Sequence, residues 1–471
     1  MNTDFDLIVI GAGPGGYTAA LHAASLGLKT AVCDFAEAGG TCLNRGCVPT
    51  KTLLHSSQLC REARNGASVG VRCENVTPDL DAMFARKRQI SSQLSEGIES
   101  LFRNAKVTFL KGRAVITEPG KVCVAAENGD PAVYTAENIL VATGSVPAMP
   151  PITGLRQPGV LTSDEILEGA SELYASIVII GGGVIGAEFA TFYSDLGTRV
   201  SVVEAMDRML PNMDRELGQG LQLALKKQGV QVHTGAFVKE VVREGEELAV
   251  RFETSKGMGE AKGQVVLCAI GRSPYMEGVF GEGLDPEKKG KSLCTDERFR
   301  TSIPGVYAIG DVTSRIQLAH VAAAQGTACV DMICGKPASV DLSLVPACIY
   351  SRPEIASVGM TQDEAKKAGI ETVAGKCVMG ANARTMIENS GRSFMKILAR
   401  TDDHRVIGAS LMCSRASDMI SEVAEAIAAG LTAEQMLAYM RPHPTFEEAM
   451  GEALEDLAAK LKKADLKAAG Q

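Results

Sequence analysis

The chain has 471 residues, 45% of them apolar and 22% charged, with a formal net charge of -8. That length allows three or four domains, each large enough to bury a core of its own. The acidic balance argues against a broad nucleic-acid or anionic-membrane surface, because both need clustered Lys and Arg.

The first element is an apolar, strand-like run at Phe5–Ile10, so early that it leaves no room for a targeting peptide. It runs into Gly11-Ala-Gly13-Pro-Gly-Gly16 and a small-residue helix. A second strand over residues 29–33 ends at Asp34. This is the full dinucleotide-binding pattern of strand, glycine turn, helix, strand and acid. Gly11 permits the tight turn, Gly13 lets backbone approach a pyrophosphate, and Gly16 lets helix and strand pack. The helix N-terminus offers free N–H groups to phosphate, and Asp34 can accept from a ribose hydroxyl.

Next comes Gly39-Gly40-Thr41-Cys42-Leu43-Asn44-Arg45-Gly46-Cys47-Val48-Pro49-Thr50-Lys51. Residues five apart in a helix have Cα atoms roughly 8.6 Å apart, and a disulfide needs less than about 7 Å. If these two cysteines bond, the segment between them is not regular helix. Gly46 and Pro49 supply the irregularity. No matching Cys/His pair completes a tetrahedral metal site, so no metal is expected. Further on, residues 139–142 form an apolar strand entering Thr143-Gly144.

The glycine pattern then recurs. Residues 177–180 form a strand, followed by Gly181-Gly-Gly183-Val-Ile-Gly186, a helix containing Glu188, the strand Arg199–Val203, and Glu204. Each acid lies 23 positions after the first glycine of its turn. The four glycines and Glu188 make this apolar stretch a buried strand-turn-helix and not a membrane span. A carboxylate at the end of the second strand binds a ribose 2′-hydroxyl and repels a 2′-phosphate, which favours NAD over NADP there. Arg208 is the nearby cation that would weaken this reading.

A short strand in Gly305-Val-Tyr-Ala-Ile309 ends in Gly310-Asp311, whose carboxylate can reach a hydroxyl of an extended cofactor. Residues 319–334 read as an ordinary amphipathic helix, and no disulfide is expected between Cys329 and Cys334 in spite of their spacing. Most of the thirteen cysteines, odd in number and scattered, read as buried small hydrophobes in a reducing compartment. Near the C-terminus, Arg441-Pro442-His443-Pro444-Thr445-Phe446-Glu447-Glu448 holds the one histidine flanked by two prolines, with Glu448 placed to hold a ring nitrogen. Thiol exchange needs a base, and His443 is the candidate. Residues 454–471 form an Ala/Lys-rich helix expected to fray.

These motifs together resemble the class I pyridine nucleotide-disulfide oxidoreductases over nearly the whole chain, in order. GGTCLNRGCVPTK matches the active-site signature of that family, Thr143-Gly144 and the segment through Asp311 its later FAD motifs, and His443 to Glu448 its C-terminal signature. Within the family, Val184, the Pro49-Thr50-Lys51 ending, Ala319-His320, residues 345–350 and Pro353-Glu354 resemble the dihydrolipoamide dehydrogenases.

The resemblance implies an α/β fold with two Rossmann-like domains, for FAD and NAD, and a C-terminal α+β dimerisation domain. The divisions would be an FAD-binding domain with a redox disulfide (1–149), an NAD-binding domain (150–272), a central domain completing the FAD site (273–343) and an interface domain (344–471). It implies a Cys42–Cys47 disulfide in which Cys42 exchanges with substrate and Cys47 forms the charge-transfer thiolate facing the flavin. Lys51 would sit near the flavin and pair with Glu188. Gly40, Thr41 and Gly271 join the cofactor-binding residues. His443 would reach the Cys pair of the other subunit of a homodimer.

The implied activity is oxidation of protein-bound dihydrolipoyl groups with NAD as acceptor. The lipoyl-bearing partner would belong to a 2-oxo-acid dehydrogenase or glycine cleavage system, and the expected location is the cytoplasm, with no nucleic-acid or membrane partner. A reductase of another disulfide such as glutathione disulfide, a complex-bound hub subunit and a regulatory redox sensor are the other readings. Asp34, Gln325, Arg352 and Arg441 depart from the residues usual in dihydrolipoamide dehydrogenases.

Overall fold

A computed structural model describes residues 3–126, 129–170, 172–313 and 316–469. Its centre is a parallel sheet in which the strand Phe5–Ile10 lies between Thr30–Asp34 and Ala132–Val141. Leu7, Ile8 and Val9 are fully buried, which is why this strand reads as an unbroken apolar run: a parallel strand is covered on both faces. The sheet is finished from a distance. The strand Val306–Ala308 pairs with Ala132–Val141, and Thr108–Lys111 closes the other edge. The helix Ala319–Ile333 packs on the first glycine-turn helix, Pro14–Ser25, closely enough that a Cβ on Gly326 would lie 2.6 Å from the carbonyl of Gly15. Residues beyond 300 are therefore part of the first unit's core.

The second unit repeats the plan with five parallel strands, in which Ser176–Ile180 lies between Arg199–Val203 and Val265–Cys268. A three-stranded antiparallel sheet, from Phe237–Glu244 to Gly257–Gly263, is attached to it. Two short strands, Ser145–Pro147 and Arg272–Pro274, pair antiparallel where the chain leaves the first unit and where it returns.

The last unit is a five-stranded antiparallel sheet covered by the helices Ala416–Ala428 and Glu448–Ala469. The terminal helix runs from Glu448 to Ala469 and is anchored along its first part. Leu454, Leu457 and Leu461 are fully buried in the core under the sheet. Their spacing of three and four puts them on one helical face, and burial of that face outweighs the modest cost of exposed Ala and Lys on the other. Residues 470–471 lie outside the described residues.

This sheet is tied to the second unit by charge. Lys396, buried, donates to Asp214 (2.7 Å) and Glu216 (2.8 Å) at the start of the helix Arg215–Lys227. Among the described residues, no helix is long and apolar enough to cross a membrane.

Candidate active site

The two glycine turns have the same local construction. Gly11 has φ +105°, and a Cβ there would lie 2.3 Å from the Ala142 carbonyl oxygen, so turn geometry and packing both demand glycine. Gly181 has φ +111° and meets the Ala269 carbonyl in the same way. Gly16 and Gly186 abut the carbonyls of Gly11 and Gly181. The middle glycines differ in being open. A Cβ on Gly13 would meet nothing nearer than 3.9 Å, and one on Gly183 nothing within 4 Å. Each helix thus begins on a clear approach for a phosphate group.

The acids are held alike. Asp34 accepts from the N–H groups of Ala12 (2.7 Å) and Ala36 (3.0 Å). Glu204, nearly buried, accepts from those of Gly182 and Met206. Arg208 is committed elsewhere, to Asp207 (2.9 Å) and the Pro211 carbonyl (2.9 Å). Backbone amides hold a carboxylate at the edge of the second turn, an arrangement that suits a ribose hydroxyl.

The cysteine segment lies against the first turn. A Cβ on Gly40 would lie 2.6 Å from Gly13 Cα, and the Gly39 N–H donates to the Ala12 carbonyl (2.8 Å). A one-turn helix, Gly40–Asn44, carries Thr41 and Cys42. The chain breaks at Arg45 and at Gly46, whose φ of -152° and ψ of -110° lie outside helical values, and a new helix starts at Cys47. The expected irregularity is therefore present. Both cysteines are thiols here, with Cys42 half-buried and Cys47 exposed. Their side chains are hydrogen-bonded to each other, the Cys42 thiol donating to the Cys47 sulfur. That bond, together with the nearby Lys51 ammonium, lowers the Cys47 pKa to about 7, while the same bond and burial raise that of Cys42.

One helical turn after Cys47, Lys51 reaches across to the second unit. Its Nζ donates to both oxygens of the buried Glu188 at 2.8 Å. Sequence reasoning missed the third partner. Tyr350, from the last unit, donates its backbone N–H to Glu188 Oε1 (3.1 Å), and its ring centroid lies 4.7 Å from Lys51 Nζ. Three units of the chain meet at this one ion pair.

The expected flavin residues after the first sheet also converge. Thr143 donates its hydroxyl to the Tyr275 carbonyl (2.6 Å), and Gly144 adopts φ +71°. Asp311 lies in a short 3-10 turn, Gly310–Thr313, which Gln325 braces by accepting the Gly310 N–H (2.8 Å). Burial raises the Asp311 pKa, and a hydrogen bond from Ser145 to Oδ2 opposes that shift. With Oδ2 held by Ser145, this half-buried carboxylate can offer Oδ1 to a cofactor hydroxyl. The open glycine turn, the strand-end acid and Asp311 together fit FAD in the first unit, and the second turn with Glu204 fits NAD. Gly271 (φ +126°) stands where the chain returns to the first unit, and its carbonyl accepts from the Ala148 N–H (3.0 Å). Among the described residues, no group of three His, Cys, Asp or Glu is placed to hold a metal.

His443 Nδ1 and Glu448 Oε1 are 2.8 Å apart, and the Thr445 N–H donates to Glu448 Oε2 (2.9 Å). The amide and the imidazole both lower the Glu448 pKa. A carboxylate only accepts, so Nδ1 carries the proton and Nε2 is left as the basic nitrogen. The imidazole is 71% exposed, and none of its described hydrogen bonds reaches the thiols of its own chain. The departures from the usual residues are engaged in structure. Arg352 pairs with the buried Asp195 (2.6 Å), and Arg441 pairs with Glu422.

Comparison with known proteins agrees with this arrangement. The model of the pyridine nucleotide-disulphide oxidoreductase family matches residues 5–326, and that of the family's dimerisation domain matches residues 345–454. The chain is 37% identical to the mitochondrial dihydrolipoyl dehydrogenase of Pisum sativum, over 95% of this chain and 90% of the relative. It is 36% identical to a dihydrolipoyl dehydrogenase of Bacillus subtilis, over 96% of each. The solved structure of LpdA from Mycobacterium tuberculosis superposes with a TM-score of 0.87 at 29% identity, covering 95% of this chain and 99% of that one. With both family models matched in order and the glycine turns, cysteine segment and His443–Glu448 pair in place, the chain belongs to the pyridine nucleotide-disulphide oxidoreductase family.

Proposed function

We propose that this protein is a dihydrolipoyl dehydrogenase, oxidising protein-bound dihydrolipoyl groups to the disulfide with NAD as electron acceptor. The observation that carries this reading is the junction at Lys51. There the dithiol segment, seated on the first glycine turn, is bonded through Glu188 to the helix that follows the second turn. Electrons from a thiol pair thus have two dinucleotide sites on either side of a single ion pair.

In the oxidised protein, Cys42 and Cys47 form a disulfide. A substrate thiolate attacks the Cys42 sulfur, the Cys42–Cys47 bond breaks, and Cys47 leaves as thiolate. The second substrate thiol then displaces Cys42, closing the lipoyl disulfide and leaving the protein dithiol. Bound FAD and NAD supply the two-electron path by which that dithiol returns to the disulfide, with NADH and a proton as products. Lys51 stabilises the Cys47 thiolate, and Glu188 keeps the Lys51 ammonium aimed. The Cys42 thiol shares its proton with Cys47. Nε2 of His443, from the partner subunit, takes the proton of the incoming substrate thiol while Glu448 steadies the imidazole. The ammonium of Lys51 is already paired with Glu188, so it is not free to hold a substrate carboxylate, which agrees with an uncharged lipoyl arm. The lipoyl-bearing partner would be a component of a 2-oxo-acid dehydrogenase or glycine cleavage system.

The test is NAD reduction by dihydrolipoamide with the purified holoenzyme, beside NADP and glutathione. Fast turnover with NAD and dihydrolipoamide alone is expected. Absence of turnover with this pair, while NADH still reduces the bound flavin, would reject the substrate and keep the family.

A further inference from the structure

The two short strands that link the first and second units carry a polar relay. Ser145–Pro147 and Arg272–Pro274 pair antiparallel, with Pro274 opposite Ser145 and Arg272 opposite Pro147. Arg272 reaches back along this ribbon. Its Nε donates to Ser145 Oγ (2.8 Å), its Nη2 donates to the Ser145 carbonyl (2.6 Å), and its Nη1 lies 3.8 Å from Asp164. Ser145 is 5% exposed and the Arg272 side chain 14%. Ser145 Oγ in turn lies 2.5 Å from Asp311 Oδ2.

The direction of these bonds is fixed by chemistry. A guanidinium has donors and no acceptor, so Ser145 must accept from Arg272. The one hydroxyl proton is then left for Asp311. A carboxylate that receives this proton at Oδ2 stays ionised and keeps its rotamer, so that Oδ1 is presented to a donor. Without the hydroxyl, burial would favour the protonated acid, which binds a cofactor hydroxyl less well.

We propose that Arg272 is a positioning residue for FAD. Through Ser145 it fixes the ionised carboxylate of Asp311, and it does so from the strand on which the chain returns from the NAD-binding unit. This rests on the reading of Asp311 as the acceptor of a flavin-chain hydroxyl.

The experiment is the rate at which the holoenzyme releases FAD on dilution, followed by flavin fluorescence. Ser145→Ala should speed release about tenfold, the worth of one hydrogen bond to a charged group. Arg272→Met should speed it about thirtyfold, because the guanidinium serves both the hydroxyl and the carbonyl of Ser145. The double variant should stay within about threefold of Arg272→Met alone, since both changes cut one relay. Arg272→Lys should recover part of the loss, keeping charge without the planar fork. Release at the wild-type rate from Ser145→Ala, or losses that multiply in the double variant, would overturn the relay. Ser145→Ala removes one atom, so it decides the matter even where Arg272→Met fails to fold. Asp311→Asn separates the two readings. Fast release from Asp311→Asn with normal release from Ser145→Ala sinks the relay alone, and normal release from Asp311→Asn sinks the role of Asp311 with it.

Discussion

At the scale of single residues, the decisive asymmetry is between two cysteines. Cys47 is held near pH 7 by a hydrogen bond from Cys42 and by the Lys51 ammonium, whereas the Cys42 thiol is pushed up. A thiol with a depressed pKa is thiolate above that value and becomes protonated as pH falls through it. The dithiol protein should therefore lose Cys47 reactivity toward iodoacetamide as pH drops through about 7. Lys51→Gln should move that midpoint up by about one unit, the usual effect of losing one nearby opposite charge, and an unmoved midpoint would exclude Lys51 from the thiolate's environment. Cys42→Ser should abolish dihydrolipoamide turnover while FAD stays bound, because no atom of Cys42 belongs to the glycine turn. Loss of flavin from that variant would refute the assignment of Cys42 to exchange with substrate. The cysteine segment and the His443–Glu448 pair were legible because their residues lie within a few positions of each other. Asp311 was read from its own strand end, but its link through Ser145 to Arg272 was not, because those residues are separated by 166 and 127 positions. Tyr350 was missed for the same reason.

At the scale of elements, legibility followed locality again. Strand, turn, helix, strand and acid sit within about thirty residues, and glycine is demanded at fixed steps along them. Both units could therefore be read without tertiary information. The buried face of the terminal helix was missed because its composition was weighed and its spacing was not. Leu454, Leu457 and Leu461 share one face, and the strand beneath is shaped to receive it. A Cβ on Gly375, in the strand Thr372–Val378, would lie 2.2 Å from the Ala453 carbonyl and 2.4 Å from Leu457 Cβ. Backbone cannot move aside as a flexible side chain can. Gly375→Ala should cost about 2 kcal/mol by overpacking, and Leu457→Ala about 3 kcal/mol by leaving a cavity. Denaturant unfolding of the apo-dimer measures both. Neutral behaviour of Gly375→Ala would show that the helix can lift off the sheet without penalty.

At the scale of the whole molecule, the notable fact is an imidazole, His443, whose described hydrogen bonds reach neither thiol of its own chain. His443 is fixed by Glu448 at the head of the terminal helix, its imidazole exposed, while the thiols sit on the first glycine turn. The dimerisation-domain match over residues 345–454 includes His443 and Glu448. If each site takes its thiols from one protomer and its base from the other, two inactive variants must complement each other. Homodimers of Cys42→Ser and of His443→Gln are each inactive or nearly so, because each lacks the same group at both sites. In the mixed dimer, one site combines both defects and the other combines the intact thiols of the His443→Gln protomer with the intact His443 of the Cys42→Ser protomer. Random re-association makes half of the dimers mixed, each with one whole site, so turnover should recover to about a quarter of wild type. Were each site built within one protomer, every site in the mixture would carry a lesion and nothing above the two parents would appear. Co-refolding equal amounts of the two variants and measuring NAD reduction by dihydrolipoamide decides between these arrangements. The comparison is internal to one preparation, so differences in stability between variants cannot imitate the recovery.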